Sequence, residues 1–365
     1  VKILFVNLSA VKFTVETPYY SALGGSESSL CYLARELARS GHDVALTANL
    51  PDGQGGVIAG IGHYPVEVVR DVAFFIAEKF DIFIICNAPA AAAPLKALSP
   101  QSRILFWAHV LADQPSMQVL ARGDAKDPID TAVFVSAWQR DVVEGAFGKF
   151  RSSVVIGNGI GPAFENMFAS PADVLRAKQN RAAYASTPYR GLSVLMRAMD
   201  GLERETRLDV FSSMKLYQAS DADYVALFAQ AAQNPAISCH GAVTQSELAQ
   251  RLRECAFLFY PCIYPETFCI SAAEALAAGM KVISTRLGAL EETTMGHADL
   301  VPIISTSGEV LVQSYREAMR NAIDAFSANP TAWAEEKFAQ AQQASRSYSW
   351  KARVTEWECL LAARD

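Results

Sequence analysis

The sequence predicts an α/β protein built from two Rossmann-like halves, and three observations carry that expectation. Short apolar runs of strand length alternate with longer segments patterned as helices, the order that builds parallel sheets. At 365 residues the chain can bury more than one core, so two domains are the natural division. The third observation is the stretch Cys255–Tyr260, an apolar run of strand length, followed by a loop and a run of good helix formers that stops at Gly279. Glu266 stands in that loop and Glu274 in the helix, with seven residues between them. In an open α/β sheet, ligands bind beyond the carboxyl ends of the strands, where a helix N-terminus attracts phosphate. The stretch can therefore offer amide donors to an anion and two carboxylates to sugar hydroxyls.

Bulk properties exclude several classes. Hydrophobic residues make up 51% and charged residues 19%, the balance of a globular chain rather than a disordered one. The net charge of -6 supplies no reason to expect nucleic acid, whose backbone is bound by clustered cations. The seven cysteines lack closely spaced metal-type pairs and read as buried, reduced thiols of a cytoplasmic protein. The longest apolar stretch, Val72 to Leu98, is broken by Glu78, Lys79 and Asp81, so no bilayer-spanning helix is expected. The N-terminus reads as a strand rather than a signal peptide, and it begins with Val1 instead of Met, as in a trimmed or excised chain.

In order, Val1–Val6 is a buried strand, followed by a loop to Gly25 and a helix from Ser26 with Leu30, Leu33, Ala34, Leu37 and Ala38 at helical spacing. Gly24 and Gly25 let backbone approach a ligand at the helix N-terminus, or simply make a tight turn. Val44–Thr47 is the next strand, and the glycine-rich segment Gly53–Gly62 reads as a surface loop. Asp81–Cys86 and Arg103–Ala108 are strands, the second ending at His109, which is either structural or turned toward a ligand. Ala132–Ser136 is a strand with a helix to about Phe147. The glycines of Ser153–Pro162 suggest a dinucleotide fingerprint, but Pro162 occupies the place of its third glycine. Prolines and Ser170 place the linker near Ile160 to Ala172.

The second half begins with the strand Arg181–Ser186 and a loop carrying Arg190 and Gly191. Arg190 presents a planar fork suited to phosphate oxygens, or else is a solvated loop residue. Asp221-Ala222-Asp223 has the look of a metal signature, but Ser220 and the helical run Tyr224–Ala232 make helix-start chemistry the better reading, and no metal is assigned. Ile237–Gly241 and a helix Ser246–Glu254 lead to the central stretch; His240 is placed in a loop near the nucleotide base. Lys281–Thr285 is a strand, Gly288–Glu292 a loop with an acidic helix start, and helices follow over Val310–Phe326 and Thr331–Arg346. A last helix after Trp350 carries Val354, Trp357, Leu360 and Leu361 on one face.

The Glu266 and Glu274 spacing, with Phe268 two places after the first acid and Ala-Ala-Gly closing the helix, resembles the donor-site signature of the GT-B glycosyltransferases of family 4. Gly24-Gly25-Ser26-Glu27 resembles the N-domain loop of the same family, and Arg190-Gly191 its Lys-Gly pair. The resemblance covers nearly the full length. It implies two Rossmann-like domains facing across a cleft: 1–165 on the acceptor side, 166–346 on the nucleotide-sugar side, and 347–365 as a C-terminal helix crossing back to the first domain. It also implies that Glu274 holds the nucleotide ribose, that Glu266 and the strand-end His109 face the donor sugar, and that Arg190, with Lys215 as a weaker helper, neutralises the leaving diphosphate. Gly24, Gly25, Thr267, Phe268, Cys269 and Ile270 complete the implied donor site. This chain departs from the family at Thr267 and Cys269, where glycines are usual, at Lys281, where proline is usual, and among Tyr184, Ala185 and Ser186, where a second arginine often stands.

The expected activity is that of a retaining, metal-independent hexosyltransferase that moves sugar from a nucleotide-diphosphate sugar to an acceptor hydroxyl in glycan, polysaccharide or glycolipid synthesis. No cofactor beyond the co-substrate is expected, and no residue stands out as a covalent nucleophile. A sugar-nucleotide epimerase on the same fold and a non-catalytic sugar-nucleotide-binding module are the alternatives. The acceptor is an unknown carbohydrate, lipid-linked or small molecule; a lipid-linked one would bring the chain to the cytoplasmic face of a membrane.

Overall fold

The structure is a computed structural model that describes residues 1–304 and 308–363. It divides into two compact units: Val1–Pro18, Leu23–Gly159 and the segment from Trp350 form the first, and Tyr19–Ala22 with Ile160–Ser349 the second. No helix among the described residues is long and apolar enough to cross a membrane.

The first unit holds an eight-stranded sheet: β1 Lys2–Asn7, β2 Asp43–Ala48, β3 Gly56–Ile58, β4 Ile61–Pro65, β5 Ile82–Cys86, β6 Arg103–Ala108, β7 Thr131–Phe134 and β8 Ser153–Val155. Their spatial order is β3-β4-β2-β1-β5-β6-β7-β8, and every pairing is parallel except β3 with β4. Residues 3–6, 82–86 and 104–108 are buried without interruption, because a parallel sheet is covered on both faces and its strands are apolar throughout. The order reverses between β1 and β5, which opens a switch point at their carboxyl ends. The helix Trp350–Ala362 packs in this unit, with Trp357 edge-on to Trp107 at 5.0 Å and Arg103 Nη1 donating to the Leu361 carbonyl at 3.0 Å.

Gly53–Gly62, expected to be a surface loop, instead contains the β3–β4 hairpin. Ala59 and Gly60 both have positive φ, the backbone of a tight two-residue hairpin turn. Ile61 and His63 alternate inward, and β4 pairs with β2. The His63 ring accepts from the Val15 N–H at 3.1 Å, so a buried imidazole organises the loop after β1.

The second unit holds six parallel strands: β9 Gln179–Ala185, β10 Arg207–Phe211, β11 Ile237–Cys239, β12 Cys255–Tyr260, β13 Lys281–Thr285 and β14 Ala298–Val301. Their order is β11-β10-β9-β12-β13-β14. The chain winds outward from β9 in one direction and from β12 in the other, so the loops after β9 and β12 flank this unit's switch point. Lys178 fixes the far end: its buried ammonium donates to the carbonyls of Leu252 at 3.1 Å, Cys255 at 2.6 Å and Ala278 at 2.5 Å, tying two helix ends to the start of β9.

The Asp221-Ala222-Asp223 segment is a helix start, as its flanking residues predict: Asp221 is the N-cap of a short 3-10 turn, Ala222–Tyr224, that leads into the helix Val225–Gln233, and Ser220 Oγ accepts from the Ala222 N–H at 3.2 Å. The Asp221 carboxylate itself accepts from Ser213 Oγ and the Met214 N–H, each at 2.6 Å, and so closes the preceding turn. The last long helices run Gly308–Ala328 and Pro330–Tyr348, longer than their apolar periodicity alone predicts; the second starts at an Asn329 side-chain cap with Pro330 next to it.

Candidate active site

The switch point of the second unit is assembled by two loops that press on each other. Gly191, with φ +124°, ends the turn after β9, and a Cβ there would lie 2.1 Å from the Pro261 carbonyl oxygen at the end of β12. Only glycine permits that approach. The Ile263 N–H donates to the Arg190 carbonyl at 3.3 Å, which fixes the Arg190 backbone beside the second loop.

Across this contact Arg190 Nη1 donates to Glu266 Oε1 at 2.7 Å. Tyr260, the last residue of β12, donates its phenol to the same oxygen. The Arg190 guanidinium lies 5.6 Å from the Tyr189 ring and 4.9 Å from the Tyr264 ring, within cation–π range of both. Burial is the largest single effect and opposes its charge, but Glu266 together with Tyr217, Tyr260 and Tyr189 outweighs it and raises the Arg190 pKa. Burial first, and then Glu266, raises the Tyr260 pKa well above the usual phenol value, so the phenol keeps the proton it donates. Cys262 Sγ lies 3.9 Å from Glu266 Oε1, and burial pushes its thiol up to about 12.

The Glu266 backbone is held from the other side by Gly288, with which it forms a parallel bridge; the Ala289 N–H donates to the Glu266 carbonyl at 2.8 Å. Gly288 has φ +64°, and a Cβ there would come within 2.5 Å of the Glu266 backbone nitrogen. The Gly288 loop read from sequence is thus a brace for Glu266.

Downstream, Phe268 is buried with its ring edge-on to Tyr348 at 5.6 Å, and its carbonyl accepts from Thr293 Oγ1. Thr267 is half-buried beside it. Cys269 caps the helix Ile270–Ala277 in a left-handed conformation, φ 78° and ψ 76°, which disfavours any residue with a Cβ. Ser271 Oγ donates to the Ala185 carbonyl at 2.6 Å, which pins this helix start to the end of β9. Glu274 is buried, accepts from the Gly161 N–H at 3.2 Å, and has its pKa pushed up by burial to about 8. Lys215 is exposed on the turn Met214–Tyr217. His240 joins a different cluster, bonded to Asp209 at 2.8 Å and stacked on Phe211.

In the first unit, Gly24 has ordinary extended backbone, φ -60°, and its carbonyl accepts from the Ser28 N–H as the helix Gly25–Arg39 begins. Glu27 in that first turn is buried, and burial raises its pKa. His109, at the end of β6, is buried against Trp107 with ring centroids 4.3 Å apart, and its Nε2 is 3.1 Å from Asn158 Oδ1. An Nε2–H donating to that amide oxygen fits a neutral imidazole, and burial lowers the His109 pKa to about 4. The His109 N–H also donates to Asn87 Oδ1 at 2.7 Å.

Residues 182–329 match the family model described as Glycosyl transferases group 1. No curated protein sequence matches the chain. Among solved structures, the chain is similar to sucrose-phosphate synthase from Thermosynechococcus elongatus, with a TM-score of 0.74 at 16% identity over 99% of this chain and 98% of that one. It is similar to HepE of Anabaena, solved with UDP-glucose, with a TM-score of 0.72 at 16% identity over 99% and 100% of the two chains. WaaG, a glycosyltransferase involved in lipopolysaccharide biosynthesis, gives a TM-score of 0.65 at 13% identity over 99% and 100%. The fold is GT-B.

Within this GT-B chain, the residues singled out from sequence fall into three groups. Arg190 and Glu266 are in direct contact, and Thr267 to Ile270 carry the chain from Glu266 into the helix that holds Glu274. Gly24, Gly25 and His109 belong to the first unit. Lys215 makes no ion pair among the described residues. Sequence reasoning missed Tyr260, Tyr264, Asn158 and Gln245. The first two read as ordinary strand-end and loop aromatics, and Asn158 lies among the glycines of Ser153–Pro162 with no signal of its own.

Proposed function

We propose that the chain is a retaining glycosyltransferase that moves a hexosyl group from a nucleoside-diphosphate sugar to an acceptor hydroxyl in the cytoplasm, without a metal ion. The observation that carries this reading is the Arg190–Glu266 pair at the β9/β12 switch point, next to a helix start and the buried Glu274. Arg190 is a fixed cation for the diphosphate, and the amides at the start of Ile270–Ala277 add positive potential. Glu266 accepts from donor-sugar hydroxyls, and Glu274 from the ribose. In the reaction, the bond from the anomeric carbon to the phosphate oxygen breaks with its electron pair going to the diphosphate. The acceptor oxygen bonds to the same face of the anomeric carbon, and its proton passes to the leaving diphosphate. The protein stabilises a cationic sugar on one side and a growing anionic charge on the other. Seven free thiols support a reducing compartment.

HepE is solved with UDP-glucose, so UDP-sugars are the first donors to test. Incubated with UDP-, GDP- and ADP-linked hexoses, the protein should release nucleoside diphosphate from one of them, with or without EDTA. Glu266→Ala should lower release about 100-fold or more while nucleotide binding persists. Tight nucleotide binding with no turnover on any donor or acceptor would convert the reading to a binding module. A product of inverted anomeric configuration would overturn retention, and loss of activity in EDTA would overturn metal independence.

A further inference from the structure

Three groups of the second unit converge where the chain passes through Gly161. The Gly161 N–H donates to Glu274 Oε1 at 3.2 Å. A Cβ placed on Gly161 would lie 3.0 Å from Gln245 Oε1 and 3.3 Å from Glu274 Oε1, so the amide and carboxyl oxygens border the same small space. Gln245 is the first residue of the helix Gln245–Glu254, whose start is capped by Thr244 accepting from the Glu247 N–H. Glu274 is 3% exposed. Gln245 Oε1 is buried, and no donor among the described residues reaches it.

A buried amide oxygen with no donor is disfavoured in a native structure and calls for an explanation. Here the orphan acceptor sits beside the Glu274 carboxyl, whose ionised form offers a second buried acceptor with one N–H donor within this cluster. Two neighbouring acceptors match a ligand with two neighbouring O–H donors, which is a vicinal diol. A phosphate or a plain carboxylate would be repelled by the same two oxygens. A sugar-nucleotide donor brings one vicinal diol in its ribose, and removing the 2′-hydroxyl removes one of the two donors.

We propose that Gln245 acts with Glu274 as the second acceptor for the ribose hydroxyls of the nucleoside-diphosphate donor, and that the pair makes the site select ribonucleotides over 2′-deoxyribonucleotides. This rests on the donor reading above for the identity of the ligand. A site built to hydrogen-bond a hydroxyl rejects the analogue lacking it much more strongly than a site that merely accommodates it, because its own polar groups are left unpaired. Gln245 is thus a specificity residue for the nucleoside, and it contributes nothing to the bond-breaking step.

Titration calorimetry on the full chain with UDP, GDP and ADP, each beside its 2′-deoxy counterpart, tests the assignment. For whichever base binds, the ribo form should bind about 10- to 100-fold more tightly than the deoxy form. Gln245→Leu should bring that ratio down about tenfold, chiefly by weakening the ribo form. Gln245→Glu, which keeps an acceptor at the same place, should retain discrimination. Gln245→Met serves as a second apolar replacement, and matching thermal transitions show that the variants fold. An unchanged ribo-to-deoxy ratio in Gln245→Leu and Gln245→Met overturns this inference and leaves the donor reading standing. Failure of the wild type to bind any of the six nucleotides overturns the donor reading, and this inference with it.

Discussion

Glu274→Gln removes one ionisable proton and almost nothing else, so it isolates the energetics of the buried carboxyl. Burial lifts the Glu274 pKa from 4.5 to about 8, and the Gly161 N–H opposes the rise only in part. The folded pKa is above the unfolded one. Between pH 4.5 and about 8 the folded chain therefore holds a proton that the unfolded chain has released, and stability falls as pH rises through that window. The contribution is fully present below pH 4.5 and lost above about 8. At about 1.4 kcal/mol per pH unit the ceiling is about 5 kcal/mol, and relaxation around an ionised side chain leaves about 2–3 kcal/mol as the expected size. Glutamine keeps an oxygen for the Gly161 N–H and never ionises. Urea unfolding from pH 5 to pH 9 should show wild type and variant close together at the acid end, with the variant more stable by about 2–3 kcal/mol at the alkaline end. Every other titrating group cancels in that difference. Parallel curves would show that Glu274 is not protonated in the folded chain and would refute the burial argument. If ribose hydroxyls favour the ionised carboxylate, nucleotide binding near neutral pH should also release a proton, visible as buffer-dependent heat in calorimetry.

Other sites yield sharper but simpler expectations. Gly191→Ala would put a Cβ 2.1 Å from the Pro261 carbonyl at a φ that disfavours alanine, and it should destabilise the chain by about 3 kcal/mol or more, read as a lowered urea midpoint. Cys269→Ala and Cys269→Gly both remove the sulfur, but only glycine relieves the left-handed backbone; the glycine variant should be the more stable of the two by about 1 kcal/mol, and the opposite order would refute the strain. His109 has its pKa lowered by burial from 6.5 to about 4, so stability should fall as pH drops through that window, by about 1–3 kcal/mol, and His109→Gln should flatten the slope. An NMR titration placing the His109 pKa above 6 would refute this.

The legible parts of the chain were those governed by local pattern. Strands such as Phe83–Cys86 and Phe257–Tyr260 are apolar on both faces, which a sheet covered by helices requires, so they stand out as continuous runs. The β3–β4 hairpin did not, because its strands are short and its glycines, which serve the Ala59-Gly60 turn, are indistinguishable in sequence from those of an irregular loop. The replacement of a usual glycine at Cys269 was visible, and its consequence, a residue with a Cβ in left-handed backbone, appears only in the dihedrals.

The site shows the same division more sharply. Arg190 and Glu266 were each chosen from their own loop, but their contact spans 76 residues of sequence and follows from topology. It exists because β9 and β12 are neighbours at the reversal of strand order, which places the loops after them side by side. Once that adjacency is fixed, the rest of the cluster has a reason. Tyr260 ends β12 and therefore reaches Glu266; Gly191 is needed because the β9 loop must pass against Pro261; Gly288 is needed because the β13 loop must brace Glu266 from the other side. Under the donor reading proposed above, the pair also sets the order in which ligand groups act. In the free chain Arg190 and Glu266 neutralise each other, so a diphosphate drawing on Arg190 weakens its hold on Glu266 and releases a carboxylate oxygen for a sugar hydroxyl. Under that reading, binding of the diphosphate and recognition of the sugar are coupled through a single ion pair, and a nucleoside diphosphate lacking the sugar should leave Glu266 with Tyr260 and the Cys262 thiol as its remaining donors.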